Sequence, residues 1–375
     1  MSFAKYYLAL LFYIFCLWSS ECYALKASFA FNSGYIDAPY TQKMEVYSFK
    51  KAMETPQDAI AVTVSATDEN LKNISTLSKL KFLYLDETFT QDSYYLSKEG
   101  LDTLFAIFSK LPALEYVSLC DSRLLPYLKH LPQLKGLKIK EFNWETFQQY
   151  IDHYSKLEVL IIEDSKTTRL PVVLGRMPSL KQLELYTINV TVFPELSMLQ
   201  NLVVLKTSMG KITALSPSLI NLESLKYLKV SGLVFFKKFP LEICNLKSLE
   251  ELHFEVRDAG VLPEELGQLS HLRLLYLYDC NIVAHLPASI GKLSKLEELY
   301  MSDAPAHIDW SSLKNIDHPF LLLLNRCDYV KTAKELTGIP NLKALVIPEN
   351  TYPEIVKRIE KYLPPEKILK RNFTL

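Results

Sequence analysis

The sequence predicts an α/β solenoid: a coil of short parallel strands with a concave inner sheet, an outer side of irregular or helical turns, and a helix closing each end. Three observations predict it. Pro171, Pro194, Pro217, Pro240, Pro263 and Pro287 follow one another at intervals of 23, 23, 23, 23 and 24 residues. Leu180, Leu202, Leu225, Leu249, Leu272 and Leu296 keep the same beat, each opening a stretch of leucine, two variable residues, an apolar residue, one variable residue and usually a second apolar one. Composition agrees: 49% hydrophobic residues and only 10 glycines in 375 give a continuous core and an ordered chain. The period overrides the two or three globular domains that length alone would suggest.

The elements follow in chain order. Residues 1–24 read as a secretory leader, with Lys5, an apolar run from Tyr6 to Trp18, and Cys22-Tyr23-Ala24 at the cleavage positions. That run of about 13 residues falls short of the roughly 20 that span a bilayer, which disfavours the competing reading of an uncleaved anchor. Ser19-Ser20-Glu21 before Cys22 lacks the residues of a lipidation signal. No later segment is long and apolar enough to cross a membrane, so the mature chain is expected to be exported: periplasmic, cell-surface or extracellular. Residues 25–57 hold a linker and a capping helix, Met44–Glu54, just before Pro56. Residues 58–350 hold about twelve repeats, with strands centred on Thr63, Tyr84, Ser118, Lys138, Ile161, Glu184, Lys206, Lys229, His253, Tyr276, Tyr300 and Val346. Ser97–Lys110 has helical spacing and a serine cap, so that longer turn is expected to carry an outer helix. From Ala304 to Asn325 the leucine pattern weakens, and the unbroken Leu321–Leu324 run predicts a distorted repeat with an irregular strand. Residues 351–375 hold a second cap and a short tail; Tyr352–Leu363 places Ile355, Val356, Ile359, Tyr362 and Leu363 on one helical face.

The stretch Gly260–Cys280, reading GVLPEELGQLSHLRLLYLYDC, resembles the leucine-rich repeat, whose unit in this class runs L-P-x-x-[LI]-G-x-L-x-x-L-x-x-L-x-L. The resemblance covers roughly residues 58–350 and is similar to exported bacterial members of the family. It implies a curved horseshoe that binds a partner protein on its concave sheet. Many members place asparagine at the strand exit, where its amide ties neighbouring turns. Here that position reads Thr88, Ser122, Phe142, Ser165, Ile188, Gly210, Leu233, Arg257, Cys280, Ala304 and Asn350, so the amide ladder is expected to be discontinuous. Neither cap carries the cysteine pairs of plant receptor ectodomains, which argues against a eukaryotic receptor. The acceptor patterns at Asn73, Asn189 and Asn372 matter only in a eukaryotic secretory pathway.

In leucine-x-leucine the two apolar side chains point to one side of a strand and the middle residue to the other, so one face is core and the other is free. In this reading proline fixes the outer turn and glycine permits its bend. The free face is rich in tyrosine, an amphipathic ring with few rotamers to freeze on binding. The candidate partner-binding residues are Tyr84, Tyr116, Tyr186, Tyr227, Glu251, His253, Glu255, Tyr276, Tyr278, Glu298 and Tyr300, densest over the three strands from Glu251 to Tyr300. Ordinary strand decoration is the alternative. Glu251-x-His253-x-Glu255 invites a metal reading, but same-face residues about 6.5 to 7 Å apart on one strand converge poorly on one ion, so no metal is expected. Lys138, Lys140, Lys206 and Lys229 form small basic areas able to pair with Glu163 and Glu184.

Lys+Arg and Asp+Glu both number 42, and this neutrality disfavours nucleic acid as a partner. The four cysteines beyond the leader are widely spaced; Cys244 and Cys280 read as buried hydrophobes, and Cys120 has no neighbouring cation to activate it. There is no phosphate-binding loop, Cys/His cluster or nucleophile elbow, so neither catalysis nor a cofactor is expected. The expected function is a monomeric protein-binding module. A glycan or peptidoglycan receptor and a purely structural envelope component are the alternatives.

Overall fold

One repeat explains the leucine pattern. In a computed structural model of the chain, the Leu266 N–H donates to Pro263 O at 3.1 Å, Leu269 N–H to Leu266 O at 3.2 Å, and Leu272 N–H to Leu269 O at 2.9 Å. Residues three apart in such tight turns point the same way, and the strand that follows alternates. Leu266, Leu269, Leu272, Leu275 and Leu277 all end fully buried. The apolar spacing therefore switches from three to two where the turn becomes a strand. The same ladder runs from Pro287 through Ile290, Leu293 and Leu296.

The structure describes residues 47–373 except 66–72, 87–101, 104–105, 120–121, 141–142, 164–165, 169, 171, 187–188, 233–236, 256, 258–260 and 282. The leader, the start of the Met44–Glu54 helix, the first part of the Ser97–Lys110 turn and Cys120 lie outside the described residues, as do Thr88, Phe142, Ser165, Ile188 and Leu233. By its contacts the chain divides into two units, residues 1–163 with 179–182, and 164–178 with 183–375.

The first unit holds β1 (Tyr47–Ser48), α1 (Phe49–Glu54), β2 (Ala61–Ser65), β3 (Phe82–Asp86), β4 (Tyr116–Leu119), β5 (Gly136–Lys140), α2 (Trp144–Tyr150) and β6 (Val159–Glu163). Each strand pairs in parallel with the next. The entry segment is a two-residue strand followed by a short helix, rather than a helix throughout. Ser48 caps α1 by accepting the Lys51 N–H at 3.4 Å.

The second unit holds all of β7 (Gln182–Tyr186) but its first residue, then β8 (Val204–Ser208), β9 (Tyr227–Ser231), β10 (Glu251–Glu255), β11 (Leu274–Tyr278), β12 (Glu298–Ser302), β13 (Phe320–Asn325), α3 (Tyr329–Glu335), β14 (Leu342–Pro348), α4 (Pro353–Ile359) and β15 (Ile368–Arg371). From β8 to β15 neighbours pair in parallel in chain order. Short 3₁₀ turns such as Pro217–Asn221, Leu241–Asn245, Glu264–Gln268 and Ala288–Lys292 carry the chain back outside. The closing helix α4 is shorter than the spacing predicts; Ile359 and Leu363 are buried but Tyr362 is exposed. Beyond it β15 adds a strand that sequence reasoning missed, because Ile368-Leu369-Lys370-Arg371 carries no repeat motif.

The glycine of the repeat has a different cause from the one expected. Gly267 and Gly291 are not among the positive-φ glycines, which among the described residues are Gly232 and Gly338. A Cβ on Gly267 would lie 2.6 Å from both Cβ and O of Ser289, and one on Gly291 only 2.3 Å from Asn315 O. Glycine stands there because the next turn rests directly on it.

The irregularity expected at the Leu321–Leu324 run is a register shift between Phe320 and Leu321 in the pairing of β13 with β14, and the strand is buried on both faces: Leu322 and Leu324 enter the main core, while Leu323 is buried on the other side with Tyr300 and Val346. A continuous apolar run is what two covered faces require. At and beside the described strand exits, main-chain bonds join neighbouring turns, as a discontinuous amide ladder requires: Met209 N–H to Ser231 O at 3.3 Å, Cys280 N–H to Ser302 O at 2.9 Å, and Asp303 N–H to Asn325 O at 2.9 Å. Cys244 and Cys280 are buried, and burial pushes the Cys244 thiol up to about 12. Among the described residues, no helix is long and apolar enough to cross a membrane.

Candidate functional site

Parallel register sets the site. It aligns Lys229, His253, Tyr276 and Tyr300 in one row and Tyr227, Glu251, Leu274 and Glu298 in the row beside it. All lie on the face opposite Leu252, Leu275, Leu277 and Leu299, which are fully buried. The rings stack along the row. His253 lies parallel to Tyr276 at 4.4 Å with an interplanar angle of 1°, and Tyr227 stacks on the other side of His253 at 5.2 Å. Tyr276 and Tyr278 meet Tyr300 at 5.5 and 5.4 Å.

Polar groups fix these rings. The Tyr276 hydroxyl donates to Glu298 Oε2 at 2.8 Å. His253 Nε2 contacts the Glu251 carboxylate, and His253 Nδ1 lies 2.8 Å from the Tyr278 hydroxyl. A carboxylate only accepts, so Nε2 carries the proton and neutral Nδ1 accepts from Tyr278. Burial holds the His253 pKa below its ordinary value, Glu251 opposes that shift, and the charges of Lys229 and Lys206 add to it. Burial raises the Tyr276 and Tyr278 hydroxyls well above the usual tyrosine range. Lys229 is lowered, first by burial and then by Lys206.

The network continues to β7. Lys206 pairs with Glu184 at 2.8 Å and lies 5.6 Å from the Tyr227 ring centre, while the exposed Tyr186 donates to Glu184 at 2.8 Å. Lys138 pairs with Glu163 at 2.6 Å in the first unit. These basic residues are thus spent on cross-strand pairs.

Four expected anchors need correction. Tyr300 is only 1% exposed, covered by its neighbours and by Phe373. In the first unit Tyr116 and Tyr84 are also buried, Tyr116 stacked on Phe82 at 4.5 Å. Glu255 turns away from the patch to accept the Gly232 N–H and to meet Arg257 at 2.6 Å. It holds the strand-exit loop where Gly232 has φ of 75°. Glu251, His253 and Glu255 therefore do not converge, and among the described residues no group of three or more acidic, histidine or cysteine side chains is placed to hold a metal.

Sequence reasoning missed Leu321, Leu323, Val346, Arg371 and Phe373. Leu323 and Val346 are buried against Tyr300, with Leu321 and Phe373 packed on that cluster. Arg371 Nη1 lies 3.0 and 3.2 Å from the two oxygens of Glu298. The unbroken leucine run was the available signal for the first of these; nothing local marks the last two.

Residues 213–318 match a family profile described as a leucine-rich repeat region. No curated protein matches the chain. Among solved structures, a leucine-rich repeat protein of Leptospira interrogans is 21% identical with a TM-score of 0.47, covering 87% of this chain and 99% of that one. An internalin of Listeria monocytogenes is 18% identical with a TM-score of 0.46, covering 79% and 87%. The TLR13–ssRNA13 complex is 19% identical with a TM-score of 0.54, covering 79% of this chain and 44% of that one, so the chain spans less than half its length. The last of these is a likeness of fold. With the leucine-paced turns and the parallel strands of both units, it shows a leucine-rich repeat fold, and residues 213–318 match the leucine-rich repeat region itself.

Proposed function

We propose that the chain is an exported, non-catalytic interaction module that binds a partner protein through the face of β7 to β12. The observation that carries this reading is the stacked ladder Tyr227–His253–Tyr276, in which His253 and Tyr276 are also hydrogen-bonded, yet which is only half-buried. Pre-ordered aromatic surface lowers the entropy lost on association, which favours protein contacts. The glycan alternative is weaker on the same observation. A sugar needs an open ring face, whereas the faces of His253 and Tyr276 already cover each other.

The test is capture by the purified chain from envelope and culture-supernatant extracts, beside a variant with Tyr186→Ala, Tyr227→Ala and Tyr276→Ala. Tyr300 is left intact because it is buried. A protein held by the native chain and lost by the folded variant supports the reading; identical capture by both rejects this face. Export is checked by the N-terminal sequence of the chain recovered outside the cytoplasm, expected to begin near residue 25.

A further inference from the structure

Arg371 and Phe373 make contacts that closing the stack does not require. The edge of β14 is covered by its pairing with β15, from Leu345↔Ile368 to Pro348↔Arg371. Yet Arg371 reaches back past β14 and β13 to Glu298 on β12, a partner 73 residues earlier in the chain. Phe373 follows two residues later and sets its ring edge-on to Tyr300 at 5.6 Å and 64°. A guanidinium on a carboxylate and a ring against a ring are contacts that a peptide ligand makes with such a surface.

We propose that the face around Glu298 and Tyr300 is a recognition site for a partner segment with an arginine two residues ahead of an aromatic ring, and that residues 371–373 occupy it until such a segment displaces them. The proposal rests on the protein-binding reading above and names the chemistry of the partner. Three features support it. Glu298 presents both oxygens, one taken by the Tyr276 hydroxyl and both within reach of Arg371, so it is a fixed acceptor. The row Tyr300, Leu323, Val346 and Leu369 gives an apolar floor beside that acceptor, and Leu369 is still 43% exposed. A cavity of about 450 Å³ adjoins Phe373, lined by Asn325, Pro348, Glu349, Asn350 and Asn372, with room for residues flanking the ring.

The internal occupant is weakly held. The Arg371 side chain is 46% exposed, and an ion pair this open to water contributes little. Its advantage is proximity, which for a short connection acts like a local concentration of about millimolar. A free segment with the same chemistry and a longer contact can therefore replace it.

The experiment uses a fluorescent synthetic peptide of residues 370–375, titrated into the full chain, into an Arg371→Ala/Phe373→Ala variant, and into that variant with Glu298→Gln added. A peptide with alanine in place of its arginine and phenylalanine is the control. The double variant is expected to bind the peptide at least tenfold more tightly than the native chain. Glu298→Gln is expected to reverse most of that gain, and the control peptide to bind neither. Equal affinity for native and double-variant chains, indifference to Glu298→Gln, or equal binding of the control peptide would each overturn the proposal. Should the double variant unfold, the single Arg371→Ala chain keeps the Phe373 cover and must show the same order. If the peptide fails while capture still depends on Tyr227 and Tyr276, the segment chemistry is wrong and the protein-binding reading stands.

Discussion

Replacing Gly291 by alanine tests why the repeat carries glycine. The added Cβ meets Asn315 O at 2.3 Å, Asn315 Cβ at 2.5 Å and Asn315 C at 2.7 Å. Ordinary contact begins near 3.5 Å, so the neighbouring turn must move by about 1.2 Å. Two of the three obstructing atoms are backbone, so no rotamer change relieves the clash. Overpacking of this kind costs about 1–3 kcal/mol, and the backbone obstruction places Gly291→Ala at the upper end. Gly175 holds the equivalent place in an earlier turn, but its nearest obstacle is the flexible Met198 side chain at 3.3 Å. Gly175→Ala should therefore be neutral, or more stable by up to about 1 kcal/mol through the stiffer unfolded chain. The assay is urea unfolding followed by circular dichroism, with the two variants and the native chain compared at one pH. If Gly291→Ala and Gly175→Ala shift the midpoint equally, close approach between turns is not the reason for the glycine.

Leu323→Ala should cost about 2–5 kcal/mol, as for a core leucine, because its face of β13 is covered; a shift within about 0.5 kcal/mol, typical of a free face, would contradict that burial. Glu255→Gln should lose about 1–3 kcal/mol, since the carboxylate holds both the Gly232 N–H and Arg257; an unchanged urea midpoint would show that the exit loop stands without it. His253 has a folded pKa below its unfolded value of about 6.5, so its neutral form contributes stability above that pH that is lost as pH falls through the folded value. His253→Gln should therefore flatten the fall in stability as pH drops below about 7, and parallel native and variant profiles would sink this assignment.

The regular part of the chain was legible in the sequence because its signal is local and repeated. A switch of leucine spacing from three to two needs no distant information, and strands from β2 to β12 lie on the residues that spacing marks. The row containing His253, Tyr276 and Tyr300 was likewise legible, since parallel register aligns equivalent positions of successive turns. What the row does was less so. Tyr300 and Glu255 look like their neighbours in sequence, yet one is buried and the other turned into a loop, because Phe373 and Gly232 meet them from outside the repeat pattern.

The sequence by itself determined the repeat, the core leucines and the face that carries the tyrosines, because periodicity dictates which way each side chain points. Only the tertiary structure decided which of those tyrosines remain accessible, why Gly291 must be glycine, and that β15 returns Arg371 to Glu298. Those outcomes depend on atoms brought together from separate turns, and no local pattern records a distance between them.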